Sequence, residues 1–290
     1  MSAVEITLKP GDYKTDLKPV WCPGCGDFGV LNALYRAMAK LQLDPANTVV
    51  ISGIGCSSRL PGYVATYGFN SVHGRGLTLA TGVKVARPET TVIAVGGDGD
   101  GMAIGGNHFM HAARRNLDVM YILMDNEIYG LTKGQTAPTT PTGDKTKSSY
   151  WGNPEPAVDP VELAISTGAT FVARGFSGDM KNLTELFQRG IQHHGFAFVN
   201  VMSPCVTWRG DAQYGILKGK LQHVPEDHDP TDRAAAMRYT RETDVMTTGV
   251  LYEVDRPSFV DQLNHIKMVA QGDKPQPTTR EILETFYPAV

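Results

Sequence analysis

The sequence predicts an α/β fold, a parallel sheet flanked by helices, on three observations. Short β-rich runs alternate with longer helix-like stretches, as in βαβ units. Most of the runs are apolar throughout, the pattern of parallel strands covered on both faces. The glycines, 31 of 290 residues, gather in particular turns.

Taken in order, Phe28 to Leu41 reads as a helix and Thr48 to Gly53 as the first strand. Helix Leu77 to Arg87, strand Thr91 to Gly96, helix Ala103 to Arg115 and strand Val119 to Met124 follow. Gly130 to Pro156 is rich in Gly, Pro, Thr and Ser without periodicity, so it is a long loop, and loops of that length in compact domains are often functional. Alternation resumes with helix Pro160 to Thr167, strand Thr170 to Arg174, helix Leu183 to Gln192 and strand Phe196 to Met202. Beyond Gln222, charges and prolines break the apolar pattern, leaving helices at Thr231 to Tyr239 and Thr279 to Tyr287. The expected division is therefore one domain over residues 1–222 and a C-terminal extension over 223–290 that lies on something else.

Composition bounds the function. With 41% apolar and 20% charged residues the chain is globular and long enough for a sizeable core. A net charge of −3 and no Lys/Arg cluster argue against a general nucleic-acid binder. Met1 to Lys14 has no apolar signal core, and runs such as Val119 to Met124 are too short to cross a bilayer, so a soluble, cytoplasmic protein without a membrane contact is expected. In such a chain the four cysteines, Cys22, Cys25, Cys56 and Cys205, point to metal or redox chemistry before disulfides.

The strand Thr91 to Gly96 runs into Gly97-Asp98-Gly99-Asp100-Gly101 ahead of a helix, which lets backbone N–H groups approach a phosphate. Asn126 stands at the end of the next strand, where carboxyl ends of neighbouring parallel strands converge on one ligand. Asp98, the Asn126 amide oxygen and a carbonyl, for which Ile128 is the candidate, would complete an octahedral Mg²⁺ site with a diphosphate. Taken alone, Gly-Asp-Gly reads equally well as a turn with a capping Asp; strand context and spacing favour the phosphate site.

Trp21-Cys22-Pro23-Gly24-Cys25-Gly26 sets two thiols at metal-gripping spacing before a helix, while Cys56 and Cys205 lie just beyond strand ends. Four thiolates suit either a [4Fe-4S] cluster or a tetrahedral Zn²⁺, and the cysteines alone slightly favour zinc. A thioredoxin-like pair would leave Cys56 and Cys205 unexplained.

Trp-Cys-Pro-Gly-Cys-Gly, Gly-Ile-Gly-Cys-Ser, Gly-Asp-Gly-Asp-Gly and Ser-Pro-Cys occur in this order over residues 18–210. In this the chain resembles the beta subunits of 2-oxoacid:ferredoxin oxidoreductases, with Asp125 where many members have a first Asn. The resemblance implies a thiamine diphosphate-binding fold of the pyrophosphate type, with thiamine diphosphate and Mg²⁺ on the Gly-Asp-Gly and Asn126 motif. It implies a [4Fe-4S] cluster on Cys22, Cys25, Cys56 and Cys205, which places iron-sulfur above zinc. It also implies oxidative decarboxylation of a 2-oxoacid, and the reverse carboxylation, with single electrons leaving to ferredoxin and coenzyme A taking the acyl group. The aminopyrimidine-activating glutamate would come from an alpha partner, in an alpha2-beta2 assembly.

The same resemblance assigns cofactor contacts to Gly55, Ser57, His73, Gly97, Gly99 and Asp100, although His73 could be structural and Gly55 and Ser57 ordinary turn residues. Arg59 is the candidate for the substrate carboxylate, its alternative being a solvated surface Arg. Lys145 and Lys147 could attract an acidic ferredoxin, but loop lysines are usually just solvated. Tyr129-Gly130-Leu131-Thr132-Lys133-Gly134-Gln135 resembles the segment of 2-oxoglutarate and broad-range members, where pyruvate-specific relatives carry Asn at the position of Leu131. The expected substrate is 2-oxoglutarate, giving succinyl-CoA; the competing readings are pyruvate or other 2-oxoacids, and, from another class, a zinc-stabilised nucleotide-binding module without catalysis.

Overall fold

The computed structural model describes residues 7–242, 244–272, 275 and 277–287. Met1 to Ile6, within the stretch read for a signal core, and the last three residues of the extension lie outside them.

Helix α1 (Asp27–Leu41) precedes β1 (Thr48–Ser52) and β2 (Tyr67–Asn70); α2 (Gly76–Ala86), β3 (Thr91–Gly97), α3 (Gly106–Arg115) and β4 (Val119–Asp125) follow. After a long loop come α4 (Pro160–Thr167), β5 (Phe171–Phe176), α5 (Met180–Gln192) and β6 (Phe196–Met202). The chain continues through α6 (Val206–Arg209), α7 (Gln213–Lys220), β7 (Leu221–His223), α8 (Arg233–Tyr239), β8 (Met246–Glu253), α9 (Phe259–Gln271) and α10 (Thr279–Glu284).

The strands form one sheet in the order β2-β1-β3-β4-β6-β5-β8-β7, parallel except where β8 runs against β5. Every residue of β4 and β6 is buried, because helices cover both faces. Successive side chains alternate between two cores: Ile93 and Val95 meet α1 and α5 on one face, and Val92 and Ala94 meet α2, α3 and α4 on the other. Asp159 caps α4 by accepting from the N–H groups of Val161 and Glu162, with Pro160 at the first helical position.

The sequence pattern misses six elements. β2 is wholly exposed and lacks a buried run to announce it. β7 and β8 lie where charges and prolines break the apolar pattern, yet β8 is buried through Val250 and Leu251 and pairs with β5. The division expected after residue 222 thus falls inside β7, and the sheet takes a strand from beyond it. The other three are helices: α6 and α7 are short, and α9 buries no side chain fully. A further difference is the start of α3, which begins at Gly106 and not at Ala103, because the wide turn Gly99–Ile104 kinks at Ala103 (φ −87°, ψ −105°).

Parallel pairing of β1, β3, β4 and β6 brings Gly53–Cys56, the Gly97–Asp100 turn, residues 126–128 and Ser203–Cys205 to one edge, at the carboxyl ends of four adjacent strands.

Candidate active site

The turn after β3 is built around two buried aspartates. Asp98 is 1% exposed and accepts from the Thr139 hydroxyl at 2.7 Å and the Asn126 N–H at 3.4 Å. The same hydroxyl lies 3.0 Å from Asp125, and its single proton satisfies only one carboxylate at a time. Burial pushes Asp98 up to about 6 and, with the charge of Asp98 added, pushes Asp125 well above the carboxylate range. Two carboxyls in this setting call for a cation. Asn126 completes the oxygen set: its side-chain oxygen accepts from the Ile128 N–H at 3.1 Å, and the intervening Glu127 is left-handed at φ +59°.

Asp100 ties two loops to the turn. One carboxylate oxygen accepts from the N–H of Ile54 at 2.9 Å and of Gly74 at 2.7 Å, and lies 2.9 Å from His73 Nδ1. Gly53 is required beside it, since a Cβ there would stand 1.9 Å from the carboxylate. At Gly99 a Cβ would meet the Tyr129 ring at 2.3 Å, and the Tyr129 hydroxyl donates to the Gly99 carbonyl at 2.9 Å.

These loops enclose a cavity of about 560 Å³, within the range of cofactor pockets, lined by Gly55, Ser57, His73, Gly97, Asp98, Gly99, Asp100, Asn126, Ile128 and Leu131. Above Gly97 a Cβ would find only Ser57 Oγ at 3.4 Å and a carbonyl at 3.8 Å, so a ligand has room there. Ser57 Oγ is buried without a hydrogen-bond partner among the described residues. An orphan hydroxyl, open glycine backbone and a carboxylate-amide oxygen set fit a diphosphate with its cation.

Cys22, Cys25, Cys56 and Cys205 line a second cavity of about 380 Å³ together with Arg59 and Lys133. Arg59 is exposed and lies on this thiol side, outside the first cavity. Cys56, Asn126, Gly130 and Leu131 line both cavities and so form the wall between them. At that wall a Cβ on Gly130 would sit 3.6 Å from the Cys205 sulfur and 3.7 Å from that of Cys56. The Trp21 indole N–H donates to the Cys56 carbonyl at 2.7 Å, and the Cys205 N–H donates to Gln213 at 3.1 Å. Burial, then the charge of Asp27, raises the Cys25 thiol and pushes Cys56 up to about 12. A thioredoxin-like pair needs the opposite shift, whereas a metal centre offsets the cost of buried thiolates. Among the described residues no three His, Cys, Asp or Glu side chains stand at the spacing of one metal ion.

Four participants escape the sequence reading. Asp27, 1% exposed, accepts from Ser203 Oγ at 2.7 Å, and burial pushes it up to about 6. Its contiguity with Cys25 and Gly26 was the available signal. Thr139, Ser203 and Arg209 lie in segments without a spacing that marks them.

A thiamine diphosphate-binding domain is the class that this fold and site define, and the model described as the C-terminal TPP binding domain of thiamine pyrophosphate enzymes matches residues 53–201. The model of the C-terminal part of the pyruvate ferredoxin oxidoreductase beta subunit matches residues 205–268. A 2-oxoacid:ferredoxin oxidoreductase beta subunit from Aeropyrum pernix is 41% identical, over 94% of this chain and 92% of that protein. The 2-oxoglutarate synthase subunit KorB of Methanocaldococcus jannaschii is 38% identical, over 86% and 93%. A solved 2-oxoglutarate:ferredoxin oxidoreductase from Magnetococcus marinus, with 2-oxoglutarate, coenzyme A and succinyl-CoA bound, superposes with a TM-score of 0.92 at 41% identity, covering 97% of each chain. The chain belongs to the beta subunits of the 2-oxoacid:ferredoxin oxidoreductases. Membership of a beta-subunit family implies a partner subunit in a multi-subunit complex. Among the described residues no helix is long and apolar enough to cross a membrane.

Proposed function

We propose that this chain and its alpha partner convert 2-oxoglutarate, coenzyme A and oxidised ferredoxin to succinyl-CoA, CO₂ and reduced ferredoxin, and run the reverse carboxylation. The shared wall of Cys56, Asn126, Gly130 and Leu131 carries this reading, because it sets a cavity whose lining suits a diphosphate directly against four thiols.

Thiamine diphosphate would supply the carbanion chemistry of decarboxylation. Asp98, Asn126 and the Ile128 carbonyl would hold Mg²⁺, the backbone at Gly97 and Gly99 and the Ser57 hydroxyl would face the diphosphate, and Gly55 and His73 would border the ring system. Asp100 acts by holding the loops of Ile54 and His73 in place. The aminopyrimidine-activating glutamate would come from the alpha partner.

Cys22, Cys25, Cys56 and Cys205 would hold a [4Fe-4S] cluster as the exit for electrons. The motifs of the four cysteines resemble those of the family in order and spacing, and this likeness sets iron-sulfur above zinc.

Leu131, on the wall and 51% exposed, would present an apolar contact to the substrate chain, and Arg59 a cation to its distal carboxylate. Helix α9 exposes Ile266 and Val269, α10 exposes Leu283 and the turn after it Phe286, and this extension would pack on the alpha partner. Reduced cysteines and ferredoxin accord with a cytoplasmic setting.

The test is a substrate profile of the purified complex. The reading expects the highest kcat/KM with 2-oxoglutarate, and absence of activity with it would sink the substrate assignment. A broader 2-oxoacid range is the second reading, favoured by relatives named only for 2-oxoacids.

A further inference from the structure

The strand-end segments that would carry the two cofactors are stapled by one side chain that neither motif contains. Arg209 ends α6, four residues after Cys205, and is largely buried, its side chain 17% exposed. Its guanidinium donates to Glu127 at 2.6 Å and to Asp144 at 2.5 Å. Glu127 lies between Asn126 and Ile128, in a left-handed conformation uncommon for a residue with a side chain. The Thr140 hydroxyl, donating to the Glu127 carbonyl at 2.6 Å, holds that residue from the other side.

Asp144 belongs to the long loop, which grips α6 a second time. The Lys147 ammonium stands 4.4 Å from the Trp208 ring centre, and a Cβ on Gly134 would touch that ring at 3.0 Å. Gln213 fixes the backbone of Cys205 from the far side. The fourth cysteine, the Asn126–Ile128 turn and the long loop that also bears Leu131 are therefore tied together, with Arg209 bonded to two of the three segments. A planar guanidinium suits this place, since it serves two carboxylates at once in a fixed geometry.

We propose that Arg209 is a positioning residue that sets the cation-binding turn and the fourth cluster cysteine relative to each other, so that a change at either centre is felt at the other. This rests on the cofactor set proposed above.

The experiment compares wild type, Arg209→Gln and Arg209→Lys in the anaerobically purified alpha-beta complex. It reads the Mg²⁺-dependent Kd for thiamine diphosphate and the electron paramagnetic resonance spectrum of the reduced cluster. Arg209→Gln is expected to weaken thiamine diphosphate binding about 10-fold or more, the range for losing a side chain that orients a metal site, and to change the cluster spectrum. Arg209→Lys, which keeps the charge but holds one carboxylate, should restore part of both. Asp144→Asn guards against a folding defect, since it spares the Glu127 contact and should shift both readouts in the same sense but less. Unchanged Kd and spectrum in a folded Arg209→Gln complex that holds iron would overturn the inference alone. A wild-type complex without iron or without thiamine diphosphate binding would overturn the cofactor reading, and the inference with it.

Discussion

Leu131 and Gly53 show how much rests on single residues. Leu131 stands on the wall shared by both cavities, half exposed, and in the proposed function its branched chain would meet the substrate. Leu131→Asn replaces that apolar contact with an amide and should lower the kcat/KM ratio of 2-oxoglutarate over pyruvate by about 10-fold, the scale of one altered pocket contact. Steady-state kinetics with both substrates measure it, and an unchanged ratio would remove Leu131 from the specificity account. Gly53 acts through space alone. Asp100, held by three donors, cannot yield to a Cβ at 1.9 Å, so Gly53→Ala should cost about 1–3 kcal/mol and loosen the Ile54 and His73 loops together. Thermal unfolding and thiamine diphosphate titration of the same variant would show both losses. The motif residues could be read because each cluster is contiguous. Thr139 could not, since its contact with Asp98 spans 41 residues and a lone Thr in a Thr-rich loop carries no mark.

At the scale of elements, a strand could be read where burial imposes a pattern. β1, β3, β4, β5 and β6 are apolar runs because helices cover both their faces, and their limits follow the sequence closely. β2 is exposed along its length and β8 carries Thr247, Thr248 and Gly249 in its middle, so neither shows the run that marks a buried strand. β8 is secured through Glu253, which pairs with Arg189 of α5 and lies 3.8 Å from His193. The nearby His193 ring, then the charge of Arg189, holds the Glu253 carboxyl below its ordinary value of 4.5. A depressed carboxyl contributes stability that is fully present above its ordinary value and is lost as pH falls through the folded one. Glu253→Gln should therefore lower Tm at pH 7 and flatten its fall between about pH 5 and pH 3. Equal slopes in wild type and variant would show that this pair does not anchor β8.

For the whole molecule, the sheet delivers four strand ends to one edge, and chain order alone does not reveal which loops become neighbours. Gly53–Cys56 and Ser203–Cys205 are some 150 residues apart, yet both flank the wall of the same two cavities, because β1, β3, β4 and β6 are consecutive in the sheet. The chemistry proposed here depends on that adjacency: a carbanion-forming cofactor on one side of Gly130 and a one-electron carrier on the other. The direct measurement is the visible absorbance of the anaerobically purified alpha-beta complex before and after 2-oxoglutarate and coenzyme A are added. A brown complex that bleaches only when 2-oxoglutarate is present is the predicted result. A colourless complex that contains zinc, or a brown one whose absorbance 2-oxoglutarate leaves unchanged, would contradict the account.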